Sequence, residues 1–304
     1  MKYVYPDYMD EFHCIADRCR HSCCIGWEID IDEESMERFS SVGGELGKKL
    51  KKSISDDPAP HFILDKDERC PFLEESGLCE LILNLGEDSL CDICAEHPRF
   101  YNEFDGRIEC GIGMCCEEAA RLLVNGKEPV RLIGSGGDDD MPPPALVTLR
   151  DAVLQCLNGA GSFKTRMSDG LSLLGRSAFS LIPSDAADFY LTLERMDESW
   201  TAILSEMRKY DSAPAIFEML EDIKYTRIAH YFIFRHFAAA ENYDDAAYTL
   251  IFAFLSTMMV CFLDSIGFAE DALRLYSAEI EYSDENVSLI KHALRRDRLV
   301  TYNI

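Results

Sequence analysis

The chain has 304 residues, 47% of them apolar and 28% charged, enough to bury a substantial core without disulfide or metal staples. A formal net charge of −25 excludes a partner that needs a basic face, so nucleic acid is not expected; the acidic excess serves solubility and also suits a lysine-bearing partner. Eleven of the thirteen cysteines fall within the first 116 residues, which no ordinary composition explains.

The opening residues Met1-Lys2-Tyr3-Val4-Tyr5-Pro6-Asp7-Tyr8 contain no apolar run and do not read as a secretory signal. The cytoplasm, where thiols stay reduced, is therefore the expected compartment. Residues 1–124 form a cysteine-rich domain of short helices and irregular loops. Within it, 30–39 starts as an acidic helix that Gly43-Gly44 ends, and Lys48-Lys49-Leu50-Lys51-Lys52 is a solvated helix face. Residues 117–124 continue as a short helix stopped by Asn125-Gly126.

Residues 125–145, with Gly134-Ser135-Gly136-Gly137 followed by three aspartates and three prolines, read as a linker. The same breakers rule out a nucleotide-binding glycine turn, because no helix can open there. Residues 146–304 form a helical domain. Amphipathic stretches cover 185–208 and 214–237, a helix apolar on every side covers 248–263, and further helices run over 270–280 and from Ser283. The 248–263 segment is short for a membrane span and is bracketed by Asp244, Asp245 and Asp264, so it is expected in the core and no membrane association is expected. The predicted class is mainly α: a cysteine-rich metal-binding N-terminal half packed on an all-helical C-terminal half.

The early cysteines fall into three groups: Cys14, Cys19, Cys23 and Cys24; Cys70, Cys79, Cys91 and Cys94; Cys110, Cys115 and Cys116. Thirteen is odd, the compartment is reducing, and adjacent cysteines are too close for a relaxed disulfide, so metal is the expected use. A thiolate centre needs cysteines converging from separated loops, which these groups provide. Cys91 and Cys94 form a CxxC knuckle, and Cys19 and Cys23 would share a face if their segment were helical. His13, His21 and His97 are assigned surface or supporting roles. Cys156 and Cys261 stand alone in apolar helical patterns and read as packing residues. The radical signature Cys-x3-Cys-x2-Cys is absent, since Gly26 stands where its third cysteine would fall.

The text Phe12-x-Cys14-Ile15-Ala16-Asp17-x-Cys19-x3-Cys23-Cys24-x-Gly26-Trp27-x-Ile29 resembles the flagellin lysine-N-methylase family, whose N-terminal part belongs to a wider cysteine-rich zinc- or iron-chelating domain. The resemblance continues in Cys70-Pro71-Phe72-Leu73, Gly77-Leu78-Cys79, Leu90-Cys91-x2-Cys94, His97-Pro98-Arg99 and Cys115-x-Glu117-x-Ala119-Ala120-Arg121, and more loosely through Trp200 and 221–237. It implies Cys14, Cys19, Cys23, Cys24, Cys70, Cys79, Cys91, Cys94 and Cys115 as metal ligands. Cys110 is an addition to the family pattern, and Cys116 stands where the family usually has proline.

The activity so implied is transfer of methyl groups from S-adenosylmethionine to lysine amines of flagellin, with an iron–sulfur cluster, [4Fe–4S] in form, or alternatively zinc. No catalytic or S-adenosylmethionine-binding residue is assigned. Glu221, Tyr231 and Arg235 are polar positions on the best-matching helix that would line a cleft for cofactor and lysine, although ordinary interface partnership is the commoner role for such groups. The alternative function is a non-catalytic zinc- or iron-binding protein or an interaction scaffold.

Overall fold

The computed structural model describes residues 1–136, 143–213, 215–269 and 271–302. Residues 137–142 of the expected linker, and the expected helix starts Pro214 and Glu270, lie outside the described residues. The chain forms two units: one contains Met1–Phe12, Tyr101–Cys115 and Ala119–Ile304, the other His13–Phe100 and Cys116–Glu118.

The larger unit is built on its helices. Tyr243–Leu263 is capped by Asn242, whose side chain accepts the Asp245 N–H, and is buried along almost its whole length. Extended to Phe268 it is the one helix among the described residues long and apolar enough to cross a membrane, yet 94% of its most apolar window is covered by the protein itself. Its main partner is Ile223–His236, capped by Asp222. Each large side chain buried here contributes about 1.5–3 kcal/mol. Two amphipathic stretches are each divided. The 185–208 region forms Pro183–Tyr190 and Glu198–Met207, and the 214–237 region forms Ile216–Met219 and Ile223–His236. Asp197 and Asp222 begin new helices by capping Ser199 and Lys224 N–H groups, which restarts the chain at those points.

A four-stranded sheet was not expected. Lys2–Pro6 pairs in parallel with Arg107–Ile112 (Tyr3 opposite Ile108) and antiparallel with Leu132–Ser135 (Val4 opposite Gly134). Arg99–Phe104 completes the order beside Arg107–Ile112. Gly134 and Ser135, read as linker, are thus strand residues. A buried ion pair ties this sheet to Ala145–Leu157: Arg150 and Glu109 are both fully buried and meet in a bidentate contact, one arm of it 2.8 Å.

The smaller unit has its own core of Ile29, Ile31, Phe39, Leu50, Phe62, Phe72 and Leu81, with Phe62 and Phe72 edge to face at 5.0 Å. Glu33–Ser41 starts at Asp32, which accepts the Ser35 N–H at 2.8 Å. The helix ends at Ser41, and Gly44, at φ +70°, opens Gly44–Ser53. The basic face of that second helix is only partly solvated, because Lys49 pairs with Glu80 and lies over the Phe72 ring.

Candidate metal centre

None of the thirteen cysteines is in a disulfide. In the smaller unit, Cys70 and Cys91 are buried within the apolar core, and Cys24, Cys79 and Cys94 pack against it. Backbone bonds bring their segments together: Cys70 N–H donates to the Cys24 carbonyl at 2.8 Å, and Leu73 bridges Cys79. Cys91 precedes the short helix Asp92–Glu96, and Cys94 N–H donates to its carbonyl at 2.9 Å. Asp32 fixes this knuckle from a distance in sequence, with Oδ2 accepting the Asp92 N–H at 2.9 Å. Although partial burial opposes ionisation, these backbone bonds hold the Asp32 carboxyl down to about 2.

Burial pushes the Cys70 thiol up to about 12, and its neighbours Cys24, Cys79 and Cys91 add to the rise. The Cys94 thiol donates to Cys91, which lowers Cys91 and raises Cys94. The pair Cys23 and Cys24 behaves alike, Cys24 being lowered by the thiol of Cys23. Five cysteines, Cys24, Cys70, Cys79, Cys91 and Cys94, thus gather around one apolar core.

Cys23 is raised chiefly by its bond to Cys24 and by burial, and less by Cys14 and Cys116. Cys19 and Cys23 do not share a helical face: Ala16–Arg18 is a single tight turn that Cys19 ends, and Cys23 lies in a separate turn. What holds this loop is Glu117. Its Oε2 accepts the Arg20 N–H at 2.9 Å, faces His21 Nδ1 at 3.1 Å and lies 3.9 Å from Cys19 Sγ; its Oε1 accepts Arg20 Nε at 3.1 Å. His97, lowered by burial, packs against Trp27 with ring centroids 5.9 Å apart.

Soft thiolates from several segments are the donor set of zinc and iron–sulfur centres, so the residues fit such a group in kind. As they stand, no three His, Cys, Asp or Glu side chains among the described residues converge enough to hold a single ion. Sulfurs around one zinc at 2.3 Å stand roughly 3.8 Å apart, so loading with zinc requires the thiols to draw inward.

The remaining candidates lie in the larger unit. The Cys115 thiol bonds the Tyr282 hydroxyl, and Arg235 stacks on the Tyr282 ring at 4.8 Å. Glu281, fully buried, faces His236 Nε2 at 2.6 Å and accepts the Tyr231 hydroxyl at 2.9 Å. Burial opposes the charge on Glu281, but Arg235 and His236 hold its carboxyl below the usual range. Tyr231 and Arg235 thus belong to a buried polar network. Glu221 does something else: its Oε1 accepts the Phe163 N–H at 2.8 Å, at the start of Phe163–Ser172. Sequence reasoning missed Glu281 and Tyr282. An acid followed by a tyrosine is the signal they offered, and that signal is common.

The chain is 24% identical over 143 residues to proteins named Lysine-N-methylase from Salmonella typhimurium and Salmonella choleraesuis, a match covering 42% of this chain and 33% of each relative. It is 22% identical over 141 residues to the Flagellar biosynthetic protein FliU of Salmonella muenchen, covering 79% of that protein. The match thus spans about a third of the length of the two lysine-N-methylases. No family model and no solved structure matches the chain.

Proposed function

We propose that this chain is a protein lysine N-methyltransferase that uses S-adenosylmethionine, acts on flagellin in the cytoplasm and carries an iron–sulfur cluster on the thiols of its smaller unit. The similarity to proteins named Lysine-N-methylase carries the reading. The flagellar name of the third relative supports flagellin as substrate, and the five-thiol group supports the cluster.

Bound S-adenosylmethionine supplies a methyl group on a positively charged sulfur, and a neutral amine attacks such a carbon without radical chemistry. At pH 7 a lysine of ordinary pKa is neutral in only about one molecule in a few thousand. The protein's task is therefore to strip water from the ammonium, give its proton an exit and align nitrogen with the methyl group. The net charge of −25 favours approach of the cationic side chain. In this reading the thiols Cys24, Cys70, Cys79, Cys91 and Cys94 would hold the cluster, whose part is architectural.

The test is anaerobic purification with iron and sulfide analysis, followed by incubation with methyl-labelled donor and flagellin. Label on flagellin lysine is the expected result, and its absence from a metal-loaded preparation defeats the enzyme reading. A non-catalytic metal-binding protein or scaffold is the second reading, favoured by the match spanning only a third of the lysine-N-methylases. Calorimetry separates the two, since only the enzyme binds S-adenosylmethionine.

A further inference from the structure

Two segments of the smaller unit run antiparallel and meet at both ends. Ile25 stands opposite Arg69, where the Gly26 N–H donates to the Glu68 carbonyl at 2.9 Å. Asp30 stands opposite His61, where the Phe62 N–H donates to the Ile29 carbonyl at 3.0 Å. Between these bridges one segment has four residues, 26–29, and the other has seven, 62–68. Segments of such unequal length cannot pair throughout, and both line a cavity of about 360 Å³. It lies wholly within the smaller unit. Its size is toward the lower end of the range for ligand pockets.

Part of the lining is apolar, from Phe62, Ile63 and Leu64. Phe62 and Leu64 pack with the unit's core, whereas Ile63 is 47% exposed. The rest of the lining offers acceptors. Glu28 and Glu68 are exposed and form no ion pair among the described residues; nearby Lys66 lies against Asp67 instead, at 3.6 Å. Glu68 Oε2 stands over the Gly26 backbone, 3.8 Å from where a Cβ would be. His61 Nδ1 is 2.8 Å from the Ala59 carbonyl, which can only accept. Nδ1 therefore carries a proton, and Nε2 of the neutral ring is an acceptor as well.

Two carboxylates and an imidazole would suit a divalent cation, but no three such side chains among the described residues converge enough to hold one ion. A cation at the end of an apolar stem fits better. Methylenes can lie along Ile63 and Leu64 while an ammonium, with three rotatable donors, reaches acceptors that stand apart. A guanidinium is matched instead by one carboxylate taken bidentately.

We infer that this cavity docks a lysine side chain carried on an extended segment of a partner protein. The part it plays is recognition rather than chemistry. Identifying that partner with the methylated protein rests on the function proposed above; the docking itself does not.

Binding is measured by calorimetry on the full chain, without S-adenosylmethionine, using a serine–glycine peptide with one central lysine. The same peptide with norleucine keeps the stem and lacks the charge. The lysine peptide should bind at least about fivefold more tightly, and should lose affinity as salt rises from about 0.05 to 0.5 M. Glu28→Gln and Glu68→Gln should each weaken it by about 1.5–5-fold, and together by more than either alone. Glu75→Gln, on an exposed carboxylate outside the cavity, should leave affinity unchanged. Ile63→Ser should weaken the lysine and norleucine peptides alike. Far-UV circular dichroism confirms that each variant folds.

No binding of the lysine peptide, equal binding of the norleucine peptide, or full binding by the Glu28→Gln, Glu68→Gln double variant overturns the docking site. If label still reaches flagellin in those cases, the methyltransferase reading stands without it. Docking that behaves as stated, with no label on flagellin, defeats the methyltransferase reading alone.

Discussion

The Tyr231 hydroxyl donates to Glu281 Oε2 at 2.9 Å while accepting the Met114 N–H at 3.2 Å and an Arg235 N–H at 2.9 Å. One buried oxygen thus joins the turn after Arg107–Ile112, a helix and the π turn Ser277–Glu281. Tyr231→Phe would leave the Met114 N–H and one Glu281 lone pair without this partner in a dry site. The expected loss is about 1–3 kcal/mol, read as a lower urea midpoint with unchanged slope.

Removing the guanidinium at Arg150 takes from buried Glu109 its bidentate partner and leaves it Arg107, at 2.6 Å. Arg150→Met should cost about 3 kcal/mol, near the lower end for breaking a buried pair. Chemical denaturation measures it.

Acid should weaken the fold through His230. Its Nδ1 is buried without a hydrogen-bond partner among the described residues. Burial, reinforced by Arg150 and Arg227, pushes its pKa down to about 3 from the usual 6.5. The folded state therefore binds fewer protons than the unfolded one. The contribution is full above pH 6.5 and is lost progressively as pH falls from there toward 3, to at most roughly 5 kcal/mol. Unfolding free energies of the parent should fall more steeply between pH 6 and 4 than those of His230→Phe.

At Gly126 a methyl group would sit 2.1 Å from the Arg227 guanidinium carbon. That guanidinium cannot swing aside cheaply, because it donates to the carbonyls of Leu123 and Glu128, each at 2.6 Å. Gly126→Ala should lose about 1–3 kcal/mol, seen as a lower melting temperature.

Unfolded under denaturant without reductant, and stripped of metal, the protein should titrate thirteen thiols per chain with a chromogenic disulfide reagent. A count lower by two or more would reveal a disulfide.

Much of the helical architecture was legible from its apolar residues: Tyr243–Leu263 is a long apolar run, and Ile223–His236 showed a helical recurrence, although the structure buries that helix on every side from Tyr225 to Phe234. The sheet was not. Lys2–Pro6 carries two tyrosines and a proline, and its partners lie about a hundred residues downstream, so no local pattern announced the pairing. Leu132–Ser135 was hidden by the breakers that follow it. The cysteine groups were visible as spacing, but their division was not, because Cys115 and Cys116 are identical as letters.

The connection between Lys2–Pro6 and its parallel partner Arg107–Ile112 runs through the thiol-bearing segment His13–Phe100. On the ribosome the first strand is made well before either neighbour, and it has no hydrogen-bonding mate until translation has passed that segment. Closing so long a loop is slow, and an unpaired strand edge attracts other chains in the interval. Early ordering of the intervening segment by its own apolar core would shorten the effective loop. Failure of that step should therefore surface as aggregation during expression before it surfaces as a lower melting temperature.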